Sequence, residues 1–542
     1  MASVANGRVD VLVIGAGMAG AAVCKRLSEK GMRVVCLEQG PLLHPMEHPH
    51  ANDEWELAFA REWSWDPNVR RLPQDYPVVT DAVQPYLFNA VGGSTNHYAG
   101  FWHRLHPSDF RKGTEHGLEG TIDWPMSYED LAPYYELNDR EVGVSGLAGD
   151  PAHPPRAERP CPPLPHGRYA SLLAAGFEKL GWHWWPADNA IISTAYDGRL
   201  PCNNCVACMA GCPRGSLGEA RVTYWPKALR NGVDLRYNCR TERISVDGRG
   251  RALGAVYIDR ATGARHEVSA AVVVVACNAI GTPRLLLNSA CALFPDGLAN
   301  RNGLVGKHLM HHGYILLDCW FEQETEQYKG AFGADIYCQE FYETDPARGA
   351  VNGITITVGG GYGPASAALG GTVGRAEAPW GREHHQEFRR RFNHDVFIAV
   401  QSEDLPCAWN AVTLDPERTD TNGIPAACVS YRLYPNDEKL LAFGVERARE
   451  VAFAAGAFEL DTTPLGPAYK PPAWHLMGTC RMGNSPQDSV INTYHQSWDI
   501  PNLFICDGSA MTTGGACNPT STIGALGLRC ADMIVAKRQE LA

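Results

Sequence analysis

The chain has 542 residues, 45% of them hydrophobic and 20% charged, which argues against a disordered or fibrous protein and leaves room for two or more domains. Its 60 acidic and 48 basic residues give a formal charge of −12, which argues against non-specific binding to nucleic acid or an anionic membrane, since phosphate attraction needs a basic surface. No apolar run approaches the roughly 20 residues of a spanning helix, and the opening MASVANGRVD has no basic region followed by an apolar core. A cytoplasmic protein is therefore expected, with most of its 18 cysteines, such as Cys24, Cys36, Cys277 and Cys506, acting as small buried hydrophobes.

The first predicted element is a strand over Val9–Ile14. It meets Gly15-Ala-Gly17-Met-Ala-Gly20, then a helical pattern, then a strand over Val34–Leu37 that ends in Glu38. This βαβ unit reads as a dinucleotide site. Gly15 makes the tight turn, Gly17 lets backbone approach a pyrophosphate at the helix N-terminus, Gly20 allows close packing, and Glu38 accepts ribose hydroxyls. Flavin and nicotinamide remain alternatives at this point.

Residues 41–90 are irregular and rich in Pro, His and Trp, as surface excursions around a site would be. Residues 144–166 carry a dense run of prolines and read as an irregular connection. In PCNNCVACMAGCPRG, residues 201–215, Cys202, Cys205, Cys208 and Cys212 follow the C-x2-C-x2-C-x3-C-P spacing of bacterial ferredoxins. An iron-sulfur cluster, a zinc site, a structural loop and a reversible disulfide are the readings left open, and no second cysteine run exists to complete a two-cluster arrangement.

A helix is expected over 220–229 and strands over 233–247. A buried strand at 272–276 leads through a turn with Asn278 and Gly281 into a helix opening at Thr282, with Pro283 in its first turn. From about 318 to 464 the pattern shifts to strands and turns, as an inserted second domain would show. The chain closes with a strand over 503–506, Asp507 and Gly508 at its end, and an amphipathic helix from near Thr522.

Four stretches taken together resemble the glucose-methanol-choline family of FAD-dependent oxidoreductases: GAGMAG with Glu38, VGGSTNHYAG at 91–100, HLMGTCRMG at 475–483, and CDGSAMTTGGACNPTSTIGAL at 506–526. ACNAIGTPRLLLNSA at 276–290 and NGLVGKHLMHH at 302–312 also resemble family segments. The resemblance implies an α/β fold with a Rossmann-like FAD-binding domain, formed by residues 1–317 and 465–542, and a substrate domain on a largely antiparallel sheet at 318–464. It implies hydride transfer from an alcohol carbon to flavin N5, with His475 as base and Asn518 as its partner.

By the same resemblance Gly92, Gly93, Asn96, His97, Asp507, Gly508, Asn518, Pro519 and Thr520 contact the flavin, and His97 stands where some members attach FAD covalently. Imidazole suits the base because its pKa lies near neutrality, whereas an asparagine amide can only hold the substrate oxygen. The region GGSTNHYAGFWHRLHPSDF is similar to that of sugar dehydrogenases, so a sugar, glycoside or polyol is the expected substrate, with an aromatic or aliphatic alcohol as the alternative. A hydroxynitrile-type lyase is the alternative from another reaction class. Oxygen, an electron-acceptor protein or a quinone would take the electrons, so oxidase and dehydrogenase both stay open. Some sugar and polyol dehydrogenases of the family relay electrons through a cluster, which the cysteine run would supply.

Overall fold

The computed structural model describes residues 7–52, 54–61, 63–68, 76–360, 363–369, 379–463 and 470–541. The leader reading of residues 1–6, and parts of the readings over 41–90, 318–464 and 465–542, lie outside these residues. The strands Val9–Ile14 and Val34–Leu37 are β-branched runs buried on both faces, the pattern of a parallel core. They form a parallel sheet in the spatial order Asp234–Arg236, Val34–Leu37, Val9–Ile14, Arg265–Val275, Leu503–Ile505. The Arg265–Val275 strand is longer than its apolar run. Its exposed first half pairs antiparallel with Ala252–Asp259, which pairs with Cys239–Val246.

Helices Met18–Glu29 and Thr520–Ala536 pack together through small residues, so closely that a Cβ on Gly527 would lie 2.8 Å from the Ala19 carbonyl oxygen. The predicted helix over 220–229 splits into Ala220–Thr223 and Trp225–Arg230, with Pro226 in the first turn of the second, because proline restricts the residue before it.

The helix expected from Thr282 instead spans Asn278–Asn288, with Pro283 in its interior. Asn278, at φ 66°, accepts the Ile280 and Gly281 N–H groups through its own side chain. Proline cannot donate to the carbonyl four residues back, and the Thr479 hydroxyl donates to that Ala279 carbonyl at 2.8 Å in its place. The helix therefore tolerates the proline through a long-range substitute.

A second sheet of six strands runs in the order Glu459–Thr462, Gly313–Trp320, Asp395–Ser402, Ile354–Gly359, Ala334–Cys338, Trp185–Pro186. Every pairing in it is antiparallel. The 21-residue helix Pro435–Ala455 packs on this sheet together with Arg168–Leu180. Its segment was expected to hold strands and turns. The helix is nevertheless written locally: Pro435 in the first turn, Asp437 in a capping box with Tyr434, and Gly456 at φ 102° as C-cap.

Candidate active site

A groove lies beyond the C-terminal ends of the parallel strands, the usual ligand position in such a sheet. Gly15, Gly17, Glu38, Gly92 and Gly93 line its N-terminal side, and Asp507, Gly508, Pro519, Thr520 and His475 line the other. Gly15 has φ 101°, and a Cβ there would meet the Ala276 carbonyl oxygen at 2.3 Å. Gly20 lies behind the turn, where a Cβ would strike the Gly15 carbonyl oxygen at 1.9 Å.

Gly17 caps the Met18–Glu29 helix without any side-chain bond, so the first helical N–H groups are open to an anion in the groove. The second glycine turn comes so near that a Cβ on Gly93 would sit 3.0 Å from Gly17 Cα. Asn96 does not line the groove. Its amide donates to the Val91 and Gly93 carbonyls and holds that turn in shape.

Glu38 accepts the Ala16 N–H at 2.9 Å and the Gly40 N–H at 2.8 Å. Burial pushes its pKa up, and these donors oppose the shift. A carboxylate has about four acceptor positions, which leaves capacity for ribose hydroxyls. Asp507 accepts the Ser509 N–H at 2.8 Å and the Thr282 hydroxyl at 2.5 Å, so it caps a turn while facing the groove. An open helix N-terminus, glycine turns without room for Cβ, and a carboxylate at the strand end together fit a dinucleotide such as FAD.

His475 follows the short strand Pro472–Ala473. Met477 and Met310 exchange both backbone hydrogen bonds, at 2.9 and 3.0 Å, and this zip sets His312 beside His475. His312 takes the left-handed φ of 68°, a costly conformation, and Asp404 secures it by accepting the His311 and His312 N–H groups at 2.9 and 3.0 Å.

The hydrogen bonds around His475 assign its tautomer. The Gly515 carbonyl can only accept, so His312 Nε2 carries a proton and donates to it at 2.7 Å. His312 Nδ1 must then accept, and His475 Nδ1 donates to it at 3.0 Å. His475 Nε2 keeps its lone pair and accepts from the Asn518 amide, also at 3.0 Å. Burial lowers the pKa of His312 to about 4, and His475 lies well below the ordinary histidine value, first through burial and then through its neighbours His312, His311 and His103. Both rings are neutral at pH 7, with the basic nitrogen of His475 beside an amide donor.

His97 does not line the groove, although Gly92 to Thr95 of the same turn do. Its Nδ1 lies 3.1 Å from the Met209 carbonyl, and its ring packs against Phe88 and Trp63.

The structure gives no support to the ferredoxin-like and zinc readings of Cys202, Cys205, Cys208 and Cys212. Among the described residues no group of three or more His, Cys, Asp or Glu side chains is arranged to hold a metal. Cys208 turns inward against Ile191, Leu217 and Ala331, and the backbone at Cys205 and Val206 is tied to Gly330. Burial raises the pKa values of Cys202, Cys208 and Cys212, which favours their neutral thiol forms.

Two family models of GMC oxidoreductases match the chain, one over residues 9–314 and the other over 406–527. The chain belongs to the GMC oxidoreductase family. It is 53% identical over 531 residues to a 2-methyl-1,2-propanediol dehydrogenase of Mycolicibacterium austroafricanum, covering 97% of this chain and 95% of the relative. A fructose dehydrogenase large subunit from Gluconobacter japonicus is 29% identical, with 97% of each chain covered. A 6'''-hydroxyparomomycin C oxidase of Streptomyces lividus is 30% identical, with 96% of this chain and 90% of the relative covered. The crystal structure of pyridoxine 4-oxidase from Mesorbium loti superimposes with a TM-score of 0.69 at 19% identity, covering 98% of this chain and 99% of that one.

GMC oxidoreductases bind FAD, and the groove fits that cofactor. His475 and Asn518, 43 residues apart, meet as the family resemblance implied. His312 and Gly515 were not singled out by the sequence, although HLMHH and GGACNPTS contain them. No helix among the described residues is long and apolar enough to cross a membrane.

Proposed function

We propose that this GMC oxidoreductase is a dehydrogenase that oxidises a hydroxyl group of a small polyhydroxylated alcohol to a carbonyl, with His475 as the base. The observation that carries this reading is the tautomer of His475, whose lone pair at Nε2 faces the Asn518 amide. FAD, when bound, supplies the hydride acceptor. His475 Nε2 takes the hydroxyl proton, and Asn518 Nδ2 donates to the same oxygen and holds the alcohol in line. His312 accepts from Nδ1 and stabilises the imidazolium that results. Relatives named for a propanediol and for fructose support the substrate class, and the name of the relative at 53% identity supports a dehydrogenase. Buried thiols serving as core, Cys24, Cys36 and Cys506 among them, support a cytoplasmic setting.

The test is anaerobic mixing of the purified flavoprotein with a panel of alcohols. Polyols are expected to bleach the flavin, and no bleaching across the panel would overturn the proposal. Reduction of a dye in preference to oxygen checks the dehydrogenase assignment. His97 follows the turn that lines the groove at Gly92 to Thr95, and attachment of the cofactor to it, which requires its ring to turn toward the groove, is part of the same proposal. Its Nδ1 proton is held by the Met209 carbonyl, which leaves Nε2 as the basic nitrogen. Flavin in the pellet after acid precipitation is expected, and flavin wholly in the supernatant would leave the ring only its packing role.

His312→Leu removes the acceptor that orients His475. We expect kcat to fall about 10- to 100-fold, the usual loss for an outer-shell partner, with KM little changed. His312→Asn keeps an acceptor oxygen and should restore part of the rate. Equal losses in both variants would assign His312 to packing alone.

A further inference from the structure

The buried polar groups on the Asn518 side of the site exceed what one reacting hydroxyl requires. His103 is 4% exposed, and neither of its ring nitrogens has a hydrogen-bond partner. Its ring is enclosed by Phe101 and by the edge of Tyr337, with ring centroids 5.9 and 5.1 Å away. Asn518 reaches this ring closely enough to pull its pKa upward, without a well-aligned bond, while burial takes the value down to about 4.

Other unpaired atoms lie within electrostatic reach of His103, and Arg156 lines a second cavity together with Asp188 and the Tyr337 ring that borders His103. The side chain of Arg156 is 7% exposed, and its Nε and Nη2 have no partner. His153 Nδ1 has none either, although its Nε2 meets Gln339 at 2.9 Å. Native proteins leave few buried polar atoms unpaired, and a group of them beside a catalytic pair marks where a ligand completes the bonding.

The chemistry of these groups selects the ligand. A neutral imidazole offers one donor and one acceptor, and a hydroxyl group can answer both, whereas a carboxylate answers only the donor. Arg156 is already paired with Asp188 at 3.1 Å, and Asp188 also receives Arg159 through two nitrogens at 3.1 and 3.0 Å. Arg159 also reaches Asp139 at 3.8 Å, and Arg104, which shares Asp139, reaches Glu136 at 2.9 Å, so three guanidinium charges face three carboxylates and what remains at Arg156 are N–H donors suited to an uncharged oxygen.

We propose that His103 contacts the substrate and, with Arg156, recognises a second hydroxyl group, so that the enzyme selects 1,2-diols and polyols over monoalcohols of the same size. This rests on the alcohol-oxidation reading above and adds a specificity-determining residue to it.

The test compares kcat/KM for propane-1,2-diol and 1-propanol in the holoenzyme. The wild type is expected to prefer the diol at least about tenfold, since a site built to bond a hydroxyl rejects the analogue that lacks it. His103→Phe and Arg156→Met should each lower that ratio severalfold or more. His103→Gln, which keeps a donor and an acceptor, should retain more of it. Calorimetric binding of the diol to enzyme whose flavin has first been reduced with dithionite should weaken in the same order.

A wild type that uses both alcohols equally would overturn the proposal, as would a ratio unmoved in both His103→Phe and Arg156→Met. In either case the unpaired atoms would be served by ordered water. Failure of the alcohol-oxidation reading is distinguishable, because then no alcohol bleaches the wild-type flavin at all, and the proposal falls with it.

Discussion

Replacing His475 by Gln is expected to lower the rate of flavin reduction by alcohol by roughly 10²- to 10⁴-fold, the range that a positioned general base contributes. Glutamine can still accept a hydrogen bond from Asn518 but cannot take a proton at neutral pH. The groove is built by Gly15, Gly17, Glu38 and Gly93, and the backbone zip at Met310 and Met477 holds the local chain, so none of these depends on the imidazole. Flavin content and melting temperature should therefore stay near wild type. Stopped-flow reduction under anaerobic conditions reads the effect, and a variant within tenfold of wild type would place the base elsewhere.

Lowering the pH from about 6.5 to 4 is expected to destabilise the fold steeply. Burial lowers His48 to about 3, and His103, His308, His311 and His312 to about 4. His153, His475 and His495 lie well below the ordinary value for the same reason. In the unfolded chain these rings take a proton near pH 6.5. Between that pH and their folded values the unfolded state binds more protons, so stability falls as the pH falls, by about 1.4 kcal/mol per pH unit for each net proton.

Buried carboxylates work in the opposite direction. Asp395 is raised to about 6, Glu219 and Asp437 to about 7, and Glu403 is raised as well. These protonate in the folded state first and offset part of the loss, but the histidines outnumber them. Thermal melts at intervals from pH 7 to 4 check the sign, and a melting temperature that holds or rises across that range would contradict neutral buried histidines.

The nucleotide unit was legible because everything it needs lies within one βαβ segment: a β-branched strand, three glycines with distinct steric duties, and Glu38 at the end of the next strand. His475 and Asn518 were legible only through family resemblance, since the contact between them depends on folding. His312 escaped because its role is set by a two-residue zip between distant segments. His103 sits in a quoted motif, yet nothing in the local pattern separates it from His106 or His116.

The cysteine spacing alone does not fix a metal site, for a related reason. Spacing measures distance along the chain, whereas Asn204 at φ 58° and Val206 at φ 61° turn the loop, and Cys202, Cys208 and Cys212 share one small apolar cluster without a metal-holding arrangement. For a β-branched valine that conformation is a true outlier, which no sequence pattern would anticipate. The Pro435–Ala455 helix is a different case, because its caps were present in the sequence and the aromatic-rich surroundings drew the reading toward strands.

The short backbone zip between Met310 and Met477 has a wider meaning. His475 is carried beside the flavin groove, but His312, which keeps it in the reactive tautomer, is the residue immediately before the Gly313–Trp320 strand of the antiparallel sheet. The proposed base is thus assembled from both layers of the molecule. If the layers part by even an ångström or two, His475 loses its orienting partner and its ring can turn over, so competence for proton transfer itself reports that the two halves are correctly docked.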